Sequence, residues 1–327
     1  MGRRVSILIA GLLCVFGLTR CTAGDRPDFL ALATAGTGGV YYLLGGSIAE
    51  IWSRDLPNQI AVAEVTGGSV ENLSLLMAEQ VEVVFSMGTN ALEAHTGSGS
   101  FQGEGPGEVR TLVALYANVL QLASREGTGV NTLSDLVGRR VSVGAPGSGT
   151  EVGARNLLAA NGIDYEDFEP QRLNFNETAN ALRDGAVDAG FWSAGPPTSS
   201  IMDLATARPI TLISLTQEEI DQTASIDPTV RSDIIPADAY RGQANPVTTL
   251  STPNVLVVRA DMTDELAYVL IEAILAAQEE LEGVHPVAQQ ISVEYTLEAS
   301  PIPLHSGVVR YMEEHGHEVP TRLIATP

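Results

Sequence analysis

Three stretches of this chain share one design, and that design restricts what the chain can fold into. Each is a short apolar or β-branched run, then a glycine loop, then a helical pattern. Residues 29–33 lead through Thr34-Ala35-Gly36-Thr37-Gly38-Gly39 into Val40-Tyr41-Tyr42. Residues 60–65 lead through Thr66-Gly67-Gly68 into Ser69-Val70-Glu71-Asn72. Residues 141–143 lead through Gly144-Ala145-Pro146-Gly147-Ser148 into Gly149-Thr150-Glu151. Strand, tight loop and helix start form the unit of a layered α/β sheet. Ligands of open α/β sheets sit at the carboxyl ends of the strands. Three such ends predict strand termini gathered around a cleft.

The loops also predict what the cleft holds. A helix start presents unpaired backbone N–H groups and the positive end of the helix dipole. Glycine lets a ligand come close to that backbone. Such a loop suits a small anion or a carboxylate. Gly149 is followed by Thr150, so the Gly-Lys-Ser/Thr ending of a nucleotide-hydrolysing phosphate loop is missing. Ser148 and Glu151 have the spacing of a capping box, which is compatible with a ligand role for the same loop. A fourth loop, Ser193-Ala194-Gly195-Pro196-Pro197, follows the strand-like residues 186–192. The candidate ligand residues are Thr37, Ser69, Asn72, Ser148 and Thr150 through side-chain polar groups, and Gly38, Gly39, Gly149 and Gly195 through backbone N–H groups. Tyr41 and Trp192 are candidates for apolar walls, with core packing as the competing reading for both.

At these residues the chain resembles a known family. Gly36-Thr-Gly-Gly-Val-Tyr-Tyr42, Thr66-Gly-Gly-Ser-Val-Glu-Asn-Leu73, residues 141–151 and Ile302-Pro-Leu-His-Ser-Gly307 together are similar to the TAXI family. Its members are solute-binding subunits of TRAP (tripartite ATP-independent periplasmic) transporters. The resemblance spans about residues 29–315. It implies a type II periplasmic-binding-protein fold and capture of a small organic anion or amino acid, of the glutamate, glutamine or 2-oxoglutarate kind. It further implies delivery to TRAP membrane permease subunits driven by an ion gradient.

Charge narrows the partners. The chain has 40 acidic residues against 18 basic ones, a net charge of −22, and every basic residue is arginine. Nucleic acid and anionic lipid surfaces both favour a basic protein, so neither is expected as a partner. An acidic protein that holds an anion has to supply positive potential locally, which again points to helix N-termini. Met1-Gly2-Arg3-Arg4 followed by the apolar residues 5–18 reads as a signal peptide over residues 1–20, too short to span a bilayer. Leu18-Thr19-Arg20-Cys21 resembles a lipobox with Cys21 as the lipidated residue, although Arg20 departs from the usual small residue; cleavage near Ala23-Gly24 is the alternative. Either cut predicts an exported protein, periplasmic or lipid-anchored at the outer face of the membrane. The remaining chain would carry 15 arginines against 40 acids, a charge of −25, and no cysteine pair for a disulfide or thiolate site.

Alternating strands and helices run through the rest of the chain. The pattern predicts two α/β lobes: residues 25–117 with 250–327 form the first, residues 118–249 the second, and two chain crossings make a hinge. Residues 96–107 are expected as a glycine-rich surface loop, residues 217–245 as irregular, and residues 263–283 as one long helix. No Gly-x-Ser-x-Gly motif or placed histidine occurs, and His315-x-His317, a spacing that could bind metal, reads as a solvated pair near the C-terminus, so neither catalysis nor a cofactor or metal is expected. The competing readings are an exported α/β hydrolase or transferase, a binding protein of an ABC importer, and a surface adhesion protein.

Overall fold

The computed structural model describes residues 28–325. The signal peptide of residues 1–20 and the lipidation site Cys21 lie outside the described residues.

The chain opens with β1 (Asp28–Ala33), α1 (Val40–Asp55), β2 (Gln59–Glu64), α2 (Ser69–Met77), β3 (Val83–Met87) and α3 (Gly88–Thr96). A long strand, β4 (Val109–Arg125), follows. Next come β5 (Arg140–Ser142), α4 (Gly149–Ala160), β6 (Glu169–Gln171), α5 (Phe175–Asp184), β7 (Ala189–Ser193), α6 (Ser199–Ala207), β8 (Ile210–Leu212), α7 (Gln217–Ile226) and β9 (Arg231–Ile235). A second long strand, β10 (Val247–Arg259), leads to α8 (Asp264–Ala276), α9 (Gln278–Val284), α10 (Val293–Ala299) and α11 (Ser306–Glu314).

The strands run in the order β2-β1-β3-β10-β4-β7-β5-β6, with β8 also on β4 and β9 on β10. Parallel pairs, β1 with β2 and β3, and β5 with β6 and β7, flank the two long antiparallel strands. Those long strands serve both halves. The first half of β4 pairs with β10 from Tyr116 back to Val109, while Leu120 to Ser124 pair with β7. Asn254 to Val258 of β10 pair with β3, while Val247 to Ser251 pair with β9. The two strands cross side by side, with Ala117 opposite Pro253, Asn118 opposite Thr252 and Val119 opposite Ser251. Just past the crossing the register shifts between Asn254 and Val255, an irregularity that bends a strand and adds twist. The result is the two-lobed periplasmic-binding-protein fold.

Each lobe is layered around its sheet. Leu44, Ile48, Ile51 and Trp52 of α1 pack with Leu270 and Ile274 of α8 on one face of the first lobe. Leu73, Leu76 and Ala91 cover its other face with Val84 and Val255. In the second lobe Leu157 and Leu158 of α4 pack on Val141 and Phe191, and Ile201 and Leu204 of α6 pack on Trp192 from the opposite side. The central strands β3 and β7, each parallel to one neighbour and antiparallel to the other, are buried along their whole length, as strands covered on both faces are.

Several elements differ from expectation. Residues 217–245 contain α7 and β9, where an irregular segment was expected. Helix α7 starts from a complete Thr216–Glu219 capping box but buries only Ile220 and Thr223, so its periodic signal is faint. The long helix expected over residues 263–283 breaks at Ala277 into α8 and α9, and no glycine or proline marks the break. The glycine-rich residues 96–107 contain a short 3-10 turn, Gly99–Phe101, that inserts Phe101 into the core.

Candidate functional site

A cavity lies between the lobes, at the carboxyl ends of β1, β3, β5 and β7, and encloses about 540 Å³ of space when its solvent-facing part is included. Four helices begin at its wall. From the first lobe come α1, entered through Gly39, and α2, entered through Gly68. From the second come α4, entered through Ser148, and α5, entered through Asn174. The glycine caps of α1 and α2 make no side-chain cap hydrogen bond, so first-turn N–H groups there depend on other partners. Gly68 sits at φ +118, a conformation that favours glycine, and a Cβ added there would come within 3.5 Å of Ser148 Cα across the cleft.

Ser148 caps α4: its Oγ accepts from the Glu151 N–H at 3.2 Å and donates to the Ala145 carbonyl at 2.7 Å. The expected capping box is only half formed. The Glu151 carboxylate turns instead to Arg155, at 2.6 Å, and Arg172, at 3.5 Å. Ser69 Oγ accepts from the Met87 N–H at 3.1 Å, which leaves its own proton to donate. The Tyr41 hydroxyl donates to Asn254 Oδ1, and its ring lies 4.8 Å from that of Phe85. Burial raises the pKa of both Tyr41 and Tyr116, so both stay protonated and able to donate at neutral pH. Met87, Val40 and Phe175 supply apolar wall.

Three wall residues carry buried polar atoms without a hydrogen-bond partner among the described residues: Tyr116 Oη, Asn118 Oδ1 and Ser193 Oγ. Tyr116 is fully buried, Asn118 is 2 % exposed and Ser193 is 7 % exposed. Buried polar groups are normally satisfied, so these three atoms leave hydrogen-bonding capacity at one cavity that the described residues do not fill. No charged side chain lines the cavity among the described residues.

The rim is closed by contacts from one lobe to the other. The Val70 and Glu71 N–H groups of α2 both donate to the Gly147 carbonyl at 3.1 Å. Asn176 Nδ2 donates to Thr37 Oγ1 at 3.2 Å, and Ser199 Oγ donates to the Gly38 carbonyl at 3.2 Å. His285 Nδ1 accepts the Val287 N–H, which puts the ring proton on Nε2, 3.2 Å from the Pro197 carbonyl.

The structure brings Gly39, Tyr41, Ser69, Ser148, Gly149 and Thr150 to the cavity wall. Thr37 and Gly38 lie at the rim, engaged with Asn176 and Ser199. Asn72, Trp192 and Gly195 are placed elsewhere. The buried Asn72 donates to the Thr34 and Phe85 carbonyls at 2.7 and 2.8 Å and accepts from Thr66 Oγ1 at 2.5 Å, so it ties strand ends together from behind. Trp192 is fully buried, with Nε1 directed to Ser200 Oγ at 3.2 Å. Gly195 lies against Val287, where a Cβ would come within 2.5 Å of Cγ1. Sequence reasoning missed Tyr116, Asn118, Ser193, Asn174 and Phe175. For the last two a signal existed, the Asn174-x-x-Glu177 capping box.

Comparison with solved structures finds the same fold at low identity. The alkanesulfonate-binding protein SsuA from Xanthomonas axonopodis pv. citri, bound to MOPS, matches with a TM-score of 0.50 and 14% identity, over 89% of this chain and 91% of that one. A putative L-cystine ABC transporter protein from Listeria monocytogenes matches with a TM-score of 0.50 and 14% identity, over 82% and 99%. A binding-protein component of an ABC phosphonate transporter from Pseudomonas aeruginosa matches with a TM-score of 0.50 and 14% identity, over 82% and 80%. Among the described residues no helix is long and apolar enough to cross a membrane. A family model matches residues 32–316, which takes in both halves of the sheet and the whole cavity wall, and the chain therefore belongs to the NMT1-like family.

Proposed function

We propose that this protein is the solute-binding component of an import system, that it is exported, and that it captures a small carboxylate or amino acid between its lobes. The observation that carries this reading is the interlobe cavity, where helix starts from both lobes meet three unpartnered polar atoms. Solvent-excluding walls with a few convergent polar groups are what a small-molecule site requires. The role is binding rather than catalysis, in keeping with structural neighbours named for transport. Thr37, Gly38, Gly39, Tyr41, Ser69, Ser148, Gly149 and Thr150 act at the wall or rim, while Asn72, Trp192 and Gly195 support the wall from behind.

Two membrane partners fit this reading. The TAXI-like motifs favour TRAP permease subunits, and the likeness to proteins of ABC transporters favours an ABC importer. Uptake into vesicles carrying the cognate permease separates them: an ion gradient without ATP drives the first, ATP the second. Binding itself is tested by thermal shift of the chain from Asp25 onward against amino acids, carboxylates and sulfonates. A solute at a hundred times its dissociation constant stabilises by about 2.7 kcal/mol. No shift with any of them, in protein shown by mass spectrometry to carry no co-purified solute, would count against the reading.

A further inference from the structure

The cavity constrains the charge of its solute, and this inference rests on the solute-binding reading above. Buried charges need partners, and an unpaired one is costly out of water. Around this cavity the charged side chains are elsewhere. The Glu71 carboxylate accepts the Gly67 N–H and does not line the cavity, Glu151 is engaged by Arg155 and Arg172, and Arg140 holds Asp188 at 2.7 Å. Positive potential at the wall therefore comes from helix starts and from hydroxyl donors such as Ser69 and Thr150. The start of α1, where no cap side chain takes the first-turn N–H groups, can seat one oxyanion together with the Ser69 and Thr150 hydroxyls; the Val70 and Glu71 N–H groups of α2 are already spent on Gly147. A second carboxylate would meet no cation, inside a chain whose net charge is −22. An ammonium would meet no carboxylate.

The orphaned atoms describe the uncharged polar partners that the cavity offers. Asn118 Oδ1 is an acceptor without a donor, and Tyr116 Oη and Ser193 Oγ can both give and take a proton. The same wall carries apolar side chains, Met87 and Phe175 among them. We propose that the solute is a monoanion: one carboxylate or sulfonate on the helix starts, an apolar stem, and an uncharged hydroxyl or amide end that donates to Asn118. This narrows the glutamate and 2-oxoglutarate expectation to molecules with a single charge.

Isothermal titration calorimetry tests it with matched compounds. One set is butyrate, 4-hydroxybutyrate and succinate; a second is pentanoate, 5-hydroxypentanoate and glutarate. Glutamate, 2-oxoglutarate and 3-hydroxypropanesulfonate complete the panel. The hydroxylated monoanions are expected to bind best, with the dianions and glutamate weaker by about tenfold or more, the scale of one unsupported buried charge contact. Asn118→Ala is expected to weaken the hydroxylated monoanion about tenfold and to leave its unhydroxylated parent unchanged. Ser193→Ala is the second variant, expected to act in the same direction, and thermal melts establish that both variants fold. Equal or tighter binding of a dicarboxylate or of glutamate would overturn the proposal while leaving the binding function intact. Equal loss for hydroxylated and parent compounds in both variants would overturn the assignment of the polar end. Absence of binding by every compound would overturn the solute-binding reading and this inference with it.

Discussion

Gly149 tests lobe closure with one methyl group. A Cβ there would come within 2.6 Å of Asn90 Oδ1 and Met87 Sδ and 2.8 Å of Ser69 Oγ, all on the opposite lobe. Gly149 is the first residue of α4, and alanine is the better helix former. Gly149→Ala should therefore leave the melting temperature of the solute-free protein unchanged or slightly raised, yet weaken solute binding at least tenfold by calorimetry. Unaltered affinity would show that the lobes need not meet at this point. At this scale the sequence was partly legible. The glycine loops announced Gly39, Ser69 and Gly149 because their composition is unusual. Tyr116, Asn118 and Ser193 were invisible because they sit inside or at the end of buried strands, where a wall residue and a core residue look alike. Asn72 misled for the converse reason: a polar residue near a loop has no direction until the helix turns it inward.

Among the elements, β5 and β7 position the second lobe's half of the site, and an ion pair fixes their ends. Arg140 Nη2 lies 2.7 Å from Asp188 Oδ1, and the Arg140 N–H donates to Asp188 Oδ2 at 3.1 Å. Burial alone would raise the Asp188 pKa, but the hydrogen bonds and charge of Arg140 outweigh it and hold the carboxyl below its ordinary value. A carboxyl with a depressed folded pKa adds stability above its unfolded pKa and loses it as pH falls through the folded one. Asp188→Asn should cost about 1 kcal/mol in urea melts at neutral pH, since Arg140 is partly exposed. The gap between variant and parent should shrink as the pH falls below about 4. A gap independent of pH would assign the loss to packing instead. Element boundaries were legible where a cap or a long apolar run marked them, as in α1 and α4. They were not where the buried face is thin, as in α7, or where a helix breaks with no glycine, proline or capping side chain to mark it, as at Ala277.

At the scale of the whole molecule, two strands carry the chain between lobes. Shift of a bound solute toward the closed arrangement follows from its contacts with both walls. The two-lobed α/β architecture was legible because alternation of strand and helix survives errors at every boundary. Which interlobe contacts close the rim was not, since Gly147 meets Val70 and Glu71 only through backbone atoms. The most direct test is the distance between the lobes, read by double electron–electron resonance. Spin labels go on Val62→Cys and Met202→Cys, exposed positions on β2 and α6, in the chain from Asp25 onward, which omits Cys14 and Cys21. Saturation with a solute whose binding calorimetry has established should narrow the distribution and move it to a single closed distance. In Gly149→Ala the broader, open distribution should persist. A distribution unchanged by a bound solute would contradict closure of two lobes around their ligand.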